Sequence, residues 1–551
     1  MIRKILLSLT VLCATINCFA QDNNGEFHGN FELNLQSYNE DATIGAQAVD
    51  EKILNNSYLN IIYTKGNFST GVRYESYLNA LQDFDRDYKG NGIPYRFATY
   101  TLDGLEVTVG NYYEQFGSGL VFKSYEEKGL GLDNSMDGIR IKYAPISGIY
   151  LKSFIGKSRT YFTYSEGVIR GLDGELNIKE AFAPKLTTQI ILGGSIVSRY
   201  QKDNNPKFNL PQNVATYAAR INIIKGKLNY YGEYAYKIND PEGSLSFEGN
   251  NYAPGNTLMS NLSYSKKGGL GISVEAHRID HFEFRSERQQ AKEYIINYIP
   301  TLSTQHAYTL VALYPFATQT EGEFGYQFDV FYKIKKGQLF GGKYGTKVNI
   351  NFSRINSLNG GNSVLNDSSS HTPMFISIKD ETVFFSDFNI EINKKINRKL
   401  KFVALLAFQS YNKDVVEGKT IGEYGNVNSK IGVLDVTYKI KKRHTLRIEL
   451  QELLSKKQDP NAKDAEGDWS MALVEYTIPH WFFTIQDMYN WGNHDITKQL
   501  HYMNINFGFT KGANRFEIGY GKKRAGIFCV GGVCKEVPSS NGFTLNILSS
   551  F

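Results

Sequence analysis

Residues 270–277 read Leu270-Gly271-Ile272-Ser273-Val274-Glu275-Ala276-His277, with apolar and polar side chains alternating without a break. Successive side chains of a strand point to opposite faces, so a period of two makes one apolar and one polar side. The pattern recurs outward in both directions. Phe31, Leu33 and Leu35 alternate with Glu32, Asn34 and Gln36. Phe68, Val72 and Tyr74 oppose Ser69, Gly71, Arg73 and Glu75, and Ile139, Ile141 and Tyr143 alternate with Arg140 and Lys142. Leu446, Ile448 and Leu450 alternate with Arg447, Glu449 and Gln451; Phe516, Ile518 and Tyr520 with Arg515, Glu517 and Gly519. No long helical period competes with this one.

Two kinds of connection separate the strands. Short turns occur at Lys65-Gly66-Asn67, Asp103-Gly104, Pro145-Ile146-Ser147-Gly148, Ala183-Pro184-Lys185, Lys225-Gly226-Lys227 and Lys266-Lys267-Gly268-Gly269. More follow at Lys335-Lys336-Gly337, Lys395-Ile396-Asn397-Arg398, Lys441-Lys442-Arg443, Pro479-His480 and Lys511-Gly512-Ala513. Longer polar stretches lie between them, among them 39–55, 79–94, 115–137, 280–303, 355–382, 412–425 and 455–467. Short turns on one side and long loops on the other describe a transmembrane barrel. Eleven short turns join 22 strands, and the first and last strands make 24. The fold expected is all-β, a single antiparallel transmembrane β-barrel of about 24 strands (22–26), with short periplasmic turns and long extracellular loops. Gln305 to Phe316 breaks the parity: it is either part of a long loop or half of an extra hairpin, which gives 26. Strands of about 9–11 residues need roughly 240 residues, well within the chain.

Composition agrees. The 551 residues are 41% hydrophobic and 14% aromatic with a net charge of +6, which argues against disorder. The charge is too small for a nucleic-acid-binding chain of this length. Beyond the N-terminus no run of 18 apolar residues exists, so no mature membrane helix is expected. At the N-terminus, Arg3 and Lys4 precede an uncharged apolar run from Ile5 to Ile16, and Cys18-Phe19-Ala20 offers a cleavage site. Residues 1–20 read as a cleaved secretory signal peptide and 21–551 as the outer-membrane barrel. The apolar run is too short for an anchor. Thr15-Ile16-Asn17 lacks the small residue expected before a lipoprotein cysteine at Cys18.

The chain closes on an amphipathic strand whose Phe543, Leu545, Ile547 and terminal Phe551 share one face. This is the form in which barrels present themselves to the outer-membrane insertion machinery. Tyr112, Tyr113, Tyr230, Tyr231, Trp481, Tyr489 and Trp491 are candidates for the aromatic girdles at the lipid interfaces.

Three motifs carry a resemblance. They are Gly110-Asn111-Tyr112-Tyr113-Glu114-Gln115-Phe116-Gly117-Ser118-Gly119-Leu120; Gly129-Leu130-Gly131-Leu132-Asp133-Asn134 with Asp137-Gly138; and Gly521-Lys522-Lys523-Arg524-Ala525-Gly526-Ile527 followed by Cys529-Val530-Gly531-Gly532-Val533-Cys534. Together they resemble an uncharacterised large outer-membrane β-barrel, porin-like family of Bacteroidota-type bacteria. The resemblance spans nearly the whole mature chain and implies no chemistry, so it assigns no catalytic residue.

Cys529 and Cys534 flank a Gly-Gly turn that lets two strands approach, so they form a structural disulfide candidate. Export permits oxidation. Asp83, Asp85 and Asp87 alternate as calcium ligands can, but Tyr88 stands where an EF-hand loop needs Gly, and a solvated acidic loop is the plainer reading. His277 and His281 with Asp280 have a spacing that suits metal on a helix, whereas their context is strand and loop. No Gly-x-Ser-x-Gly elbow or phosphate-cradling Gly-rich loop is present. The expectation is therefore not an enzyme, with no catalytic, cofactor or metal residue. The polar strand faces form the lumen, where Arg73, Arg140, Lys142, Glu275, Arg447 and Glu449 are candidates for a constriction. Pairing of these charges to stiffen the wall is the competing reading.

Sixteen to eighteen strands already leave an aqueous channel, so 24 left open would leak. Residues 115–137, with Gly117, Gly119, Gly129 and Gly131, and the region 280–320 are expected to fill the lumen. The function expected is a porin-like channel for small solutes. The alternative is a plugged barrel in an outer-membrane assembly, secretion or uptake complex. Partners are then outer-membrane lipid, the insertion machinery and such a complex; nucleic acid is not among them.

Overall fold

A computed structural model describes residues 25–204, 209–238, 240, 254–288, 292–358 and 382–551. The signal peptide expected at 1–20 lies outside them. Twenty-four antiparallel strands make one closed barrel, from Glu26–Ser37 to Ser540–Ser550. The first and last strands pair from Asn30 opposite Ser550 to Gln36 opposite Thr544. Closure leaves no unpaired edge, which a wall in lipid requires. A two-residue strand, Thr163–Tyr164, folds back on Ile149–Thr160 outside the wall.

All eleven short turns join neighbouring wall strands at one end of the barrel. The Asp103-Gly104 turn has positive φ at both positions (35° and 83°), the backbone a two-residue hairpin demands. Two turns are larger than the sequence suggests. The one at Lys335-Lys336-Gly337 spans residues 335–345, and the one at Ala183-Pro184-Lys185 starts with a one-turn helix, Ile178–Ala181, capped by Asn177. Among the described residues no helix is long and apolar enough to cross a membrane; the strands do the crossing.

Outward positions are apolar and exposed, among them Leu258, Leu262, Phe328, Leu406, Phe408, Leu434, Leu450, Phe507 and Ile518. An exterior that carries this many exposed apolar side chains on a closed barrel is a lipid-facing surface. The girdle assignment needs correction. Tyr230 and Trp481 do face outward and are exposed. Tyr112 instead points inward and is buried against Phe154, Tyr113 stacks on Tyr95, and the Tyr231 hydroxyl bonds Glu233 of the lumen. A tyrosine at the end of a strand can serve either face, and only its parity decides.

Gln305 to Phe316 contains no strand. It belongs to one connection, 281–321, and the wall count stays at 24.

Candidate functional site

The site is the lumen. At the long-loop end its wall positions are apolar: Ile169, Val197, Val214, Ala235, Ile279 and Ile355 are all fully buried, although each sits on the polar face of its strand. Something must cover them, because apolar area left in water costs roughly 25 cal/mol per Å². Two inward connections do so. From 113–135 come Phe116, Leu120, Val121 and Phe122; from 281–321 come Phe282, Phe284, Ile296 and Ile299, and these pack with the wall in one cluster. Farther along 281–321, Leu310, Val311, Leu313, Tyr314 and Phe316 pack in a second cluster against Phe385, Leu405, Tyr411, Val427, Ile431, Leu453 and Trp469 of the wall.

The inward segments are bonded to each other and to the wall. Lys123 N donates to Ile296 O at 2.8 Å and Tyr298 N to Gly119 O at 2.9 Å. The Lys123 ammonium lies 3.5 Å from the centroid of the Tyr298 ring and 4.9 Å from that of Tyr125, and burial holds its pKa below the usual lysine value. Leu310 N donates to Gln451 Oε1 at 2.8 Å, and Gln409 Nε2 to Val311 O at 3.0 Å. Gly117 has φ +53°, and the Glu233 carboxylate occupies the place a Cβ would take. Ser118 N and Oγ then donate to Glu233 Oε2 at 2.9 and 2.6 Å. A third inward element is the hairpin of Gly526–Val530 and Val533–Val537, closed by the Cys529–Cys534 disulfide. Its Gly532 O accepts from Thr318 N at 3.2 Å, and its Lys535 pairs with Asp83 at 2.9 Å.

A buried ionic latch ties 113–135 to the wall. Arg159 pairs with Glu75 and Asp133, both at 2.6 Å; Arg73 pairs with Glu75 at 2.7 Å, Glu126 at 3.0 Å and also Asp133. Burial alone would raise the Asp133 carboxyl, but Arg159 and Arg73 outweigh it and hold its pKa below the carboxylate range. Burial dominates at Glu126 and pushes it up, against the pull of Arg73.

The constriction candidates do not converge on one point. Arg73 is in the latch. Arg140 and Lys142 come together on Glu114 (3.6 and 3.3 Å) and Glu106 (2.7 and 3.7 Å). Glu275 is bonded by Asn261 and Ser273. Arg447 pairs with Asp435 at 3.1 Å and with Glu449, whose other oxygen accepts from Gln451 Nε2 at 2.6 Å. All six are engaged by neighbours. In the acidic loop, Asp85 accepts from Asp87 N at 2.9 Å to cap the turn Arg86–Tyr88. His277 faces Glu323 at 2.7 Å and His281 faces Asp280 at 2.6 Å; among the described residues no three His, Cys, Asp or Glu side chains gather as a metal site needs.

Among the described residues, one sector lacks the apolar cover of the others. Along the seam between the chain's first and last strands a polar cavity of about 510 Å³ is lined by Asn34, Gln36, Gln486, Asn504, Asn506, Glu517, Lys523, Thr544 and Asn546. A second of about 270 Å³ continues toward the turn end past Glu32, Arg515 and Leu548, and the two share Asn34, Glu517 and Asn546. Arg515 pairs with Glu517 at 2.8 Å and Lys128 with Glu32 at 2.5 Å. The lining is thus carboxamides, two ion pairs and the ammonium of Lys523.

Sequence reasoning missed the seam and the apolar lumen positions. The second had a signal: an apolar residue on the polar face, always at the long-loop end of its strand.

Fold and lumen together define a large outer-membrane-type β-barrel whose own loops fill part of its interior. The chain belongs to the family of unknown function DUF6029, whose model matches residues 1–551. No curated protein matches it. Solved structures similar to it include a ferric enterobactin receptor of Pseudomonas aeruginosa (11% identity, TM-score 0.46, covering 97% of this chain and 82% of that one). The translocation pore of the P pilus usher is similar at 8% identity and TM-score 0.40, covering 95% and 98%. A BenF-like porin of Pseudomonas fluorescens is similar at 9% identity and TM-score 0.33, covering 96% and 98%.

Proposed function

We propose that this protein is an integral outer-membrane, porin-like channel for small solutes, exported by its signal peptide, whose inward loops confine passage to the closing seam. The observation that carries this reading is the polar cavity at the seam and the smaller, mixed one that continues it, which share Asn34, Glu517 and Asn546. They follow the wall from the loop end toward the turn end, where the apolar clusters leave off. Space lined by carboxamides is readily wetted and offers both donors and acceptors to a passing solute. No catalytic role is proposed, and a Bacteroidota-type outer membrane is the setting we assign. The insertion machinery would read Phe543, Leu545, Ile547 and Phe551.

Conductance of the refolded protein in a planar bilayer tests the proposal. Discrete open steps are expected, small for 24 strands, with no strong preference for cation or anion because Glu517 and Glu32 are paired and Lys523 is the single further charge of the lining. Silence from a correctly inserted, heat-modifiable protein would overturn it. The reading would then be a plugged barrel serving an outer-membrane complex, which the rigid buried latch of Arg73 and Arg159 favours.

A further inference from the structure

Charge is divided between the two ends of the barrel. The twelve long connections carry 32 Asp and Glu against 17 Lys and Arg. The short-turn end is the reverse. Five successive turns, at 225–227, 266–269, 335–345, 395–399 and 441–443, hold thirteen Lys and Arg and no acidic residue. All thirteen side chains are exposed, and among the described residues none lies within ion-pair distance of a carboxylate. These turns follow one another around the wall, so the cations form a continuous arc.

Their level relative to lipid is fixed by the residues beside them. Outward-facing Tyr230, Tyr264, Tyr332 and Tyr438 stand on the adjoining strands, four residues or fewer from these turns. Tyrosine in that position marks the headgroup boundary of a barrel. The longest turn, 335–345, also thrusts out Leu339 and Phe340, 80% and 71% exposed. It is an ordered turn: Thr346 Oγ1 donates to Phe340 O at 2.6 Å, Lys394 Nζ to the same oxygen at 3.1 Å, and Lys395 lies 4.8 Å from the centroid of the Tyr344 ring. Two exposed apolar side chains on this turn, amid lysines at the edge of a lipid-facing wall, have a natural resting place in the acyl boundary beneath the headgroups.

We infer that this arc is a binding site for anionic phospholipid headgroups of the leaflet at the short-turn end, with Leu339 and Phe340 inserted among the chains. It rests on the membrane reading above and not on the channel reading. Unpaired cations at a headgroup surface gain most from anionic lipid, the gain is additive along the arc, and salt screens it. An acidic protein partner would need a matching face on only part of the arc and would leave the apolar tip unexplained.

The test reconstitutes the full protein in vesicles of phosphatidylethanolamine with a minor share of phosphatidylglycerol, extracts it mildly, and measures the retained lipids by mass spectrometry. Retained phosphatidylglycerol is expected to be enriched over its bulk share, and the enrichment to fall in high salt. The variant Lys335→Gln, Lys336→Gln, Lys441→Gln, Lys442→Gln, Arg443→Gln should lower it roughly tenfold or more. Leu339→Ser with Phe340→Ser, which leaves every charge in place, should lower it less. Heat-modifiability confirms that each variant is folded. Folded, inserted wild type with no enrichment, or with enrichment the charge variant keeps, overturns the site while the barrel stands. Failure to insert in any lipid overturns the membrane reading and the site with it. A periplasmic protein lost from the charge variant at unchanged lipid retention also overturns it.

Discussion

The lumen wall has two kinds of sector. From Val168–Asn177 round to Trp469–Ile478, its loop-end positions are buried under loops, and several are apolar. From Trp481–Tyr489 through the closing pair to Glu26–Ser37, Met488 at the loop end of the first of these strands still packs in the second cluster, but Gln486, Asn504, Asn506, Glu517, Thr544, Asn546, Asn34 and Gln36 line the lumen and none of these is buried. The difference is chemical before it is structural. Inward loops settle where the wall gives them apolar area to bury, and a carboxamide-lined wall gives them none. A barrel can thus be filled selectively by the composition of a few lumen positions.

The largest test of this contrast removes what covers the packed sector. Replacing residues 298–316 by a short Gly-Ser linker should raise single-channel conductance several-fold, because the second cluster loses Leu310, Val311, Tyr314 and Phe316 at once. Unchanged conductance would mean that these residues do not limit the pore.

The next largest effect concerns stability. Arg159→Met leaves Glu75 and Asp133 short of a partner in a buried site and should cost about 3–5 kcal/mol in urea unfolding of the inserted protein. Arg515→Met breaks the half-exposed pair with Glu517 in the seam and should cost less than about 1 kcal/mol. Equal costs would remove the distinction between a latched and an open sector.

Blocking the seam comes third. Asn506→Phe puts a ring into the 510 Å³ cavity and should cut conductance severalfold while leaving the unfolding midpoint nearly unchanged. A variant that conducts like wild type would move the passage elsewhere.

The legibility of these features in the sequence follows their range. Alternation at Leu270 to His277 and the turn residues are local, so the strands and their number could be read directly. The segment around Gly117-Ser118-Gly119 could be read as inward-folding because it is long, and its glycines let the backbone approach the wall closely, as Gly117 does at Glu233. The latch could not. Arg73, Asp133 and Arg159 are 60 and 26 residues apart, and no local pattern says that they meet. The seam was hidden for the opposite reason: Asn34, Asn506 and Asn546 look like any polar strand face, and what distinguishes them is the cavity they line together, which no local pattern announces.

The smallest expected effect is one of pH, at the rim of the seam. Asp41, on the connection after the first strand, pairs with Lys522 at 2.7 Å and accepts from Asn541 Nδ2 at 2.9 Å, fastening that connection to the strands of the seam. The hydrogen bond from Lys522, helped by Thr43, lowers its pKa from the ordinary carboxylate value to about 2. A carboxyl depressed in the folded state contributes stability that is present above its unfolded value, near 3.9, and is lost as pH falls through the folded value. The fastening should hold at pH 5 and weaken between about pH 4 and pH 2. If the connection guards the seam, conductance noise should increase over that interval. Asp41→Asn should show the low-pH behaviour already at pH 5 and no further change on acidification. The same variant should leave unfolding of the latched sector unaltered, since Arg73 and Arg159 lie in a different part of the wall. A shift of both would mean that the two sectors are coupled and that the seam is not an independent passage.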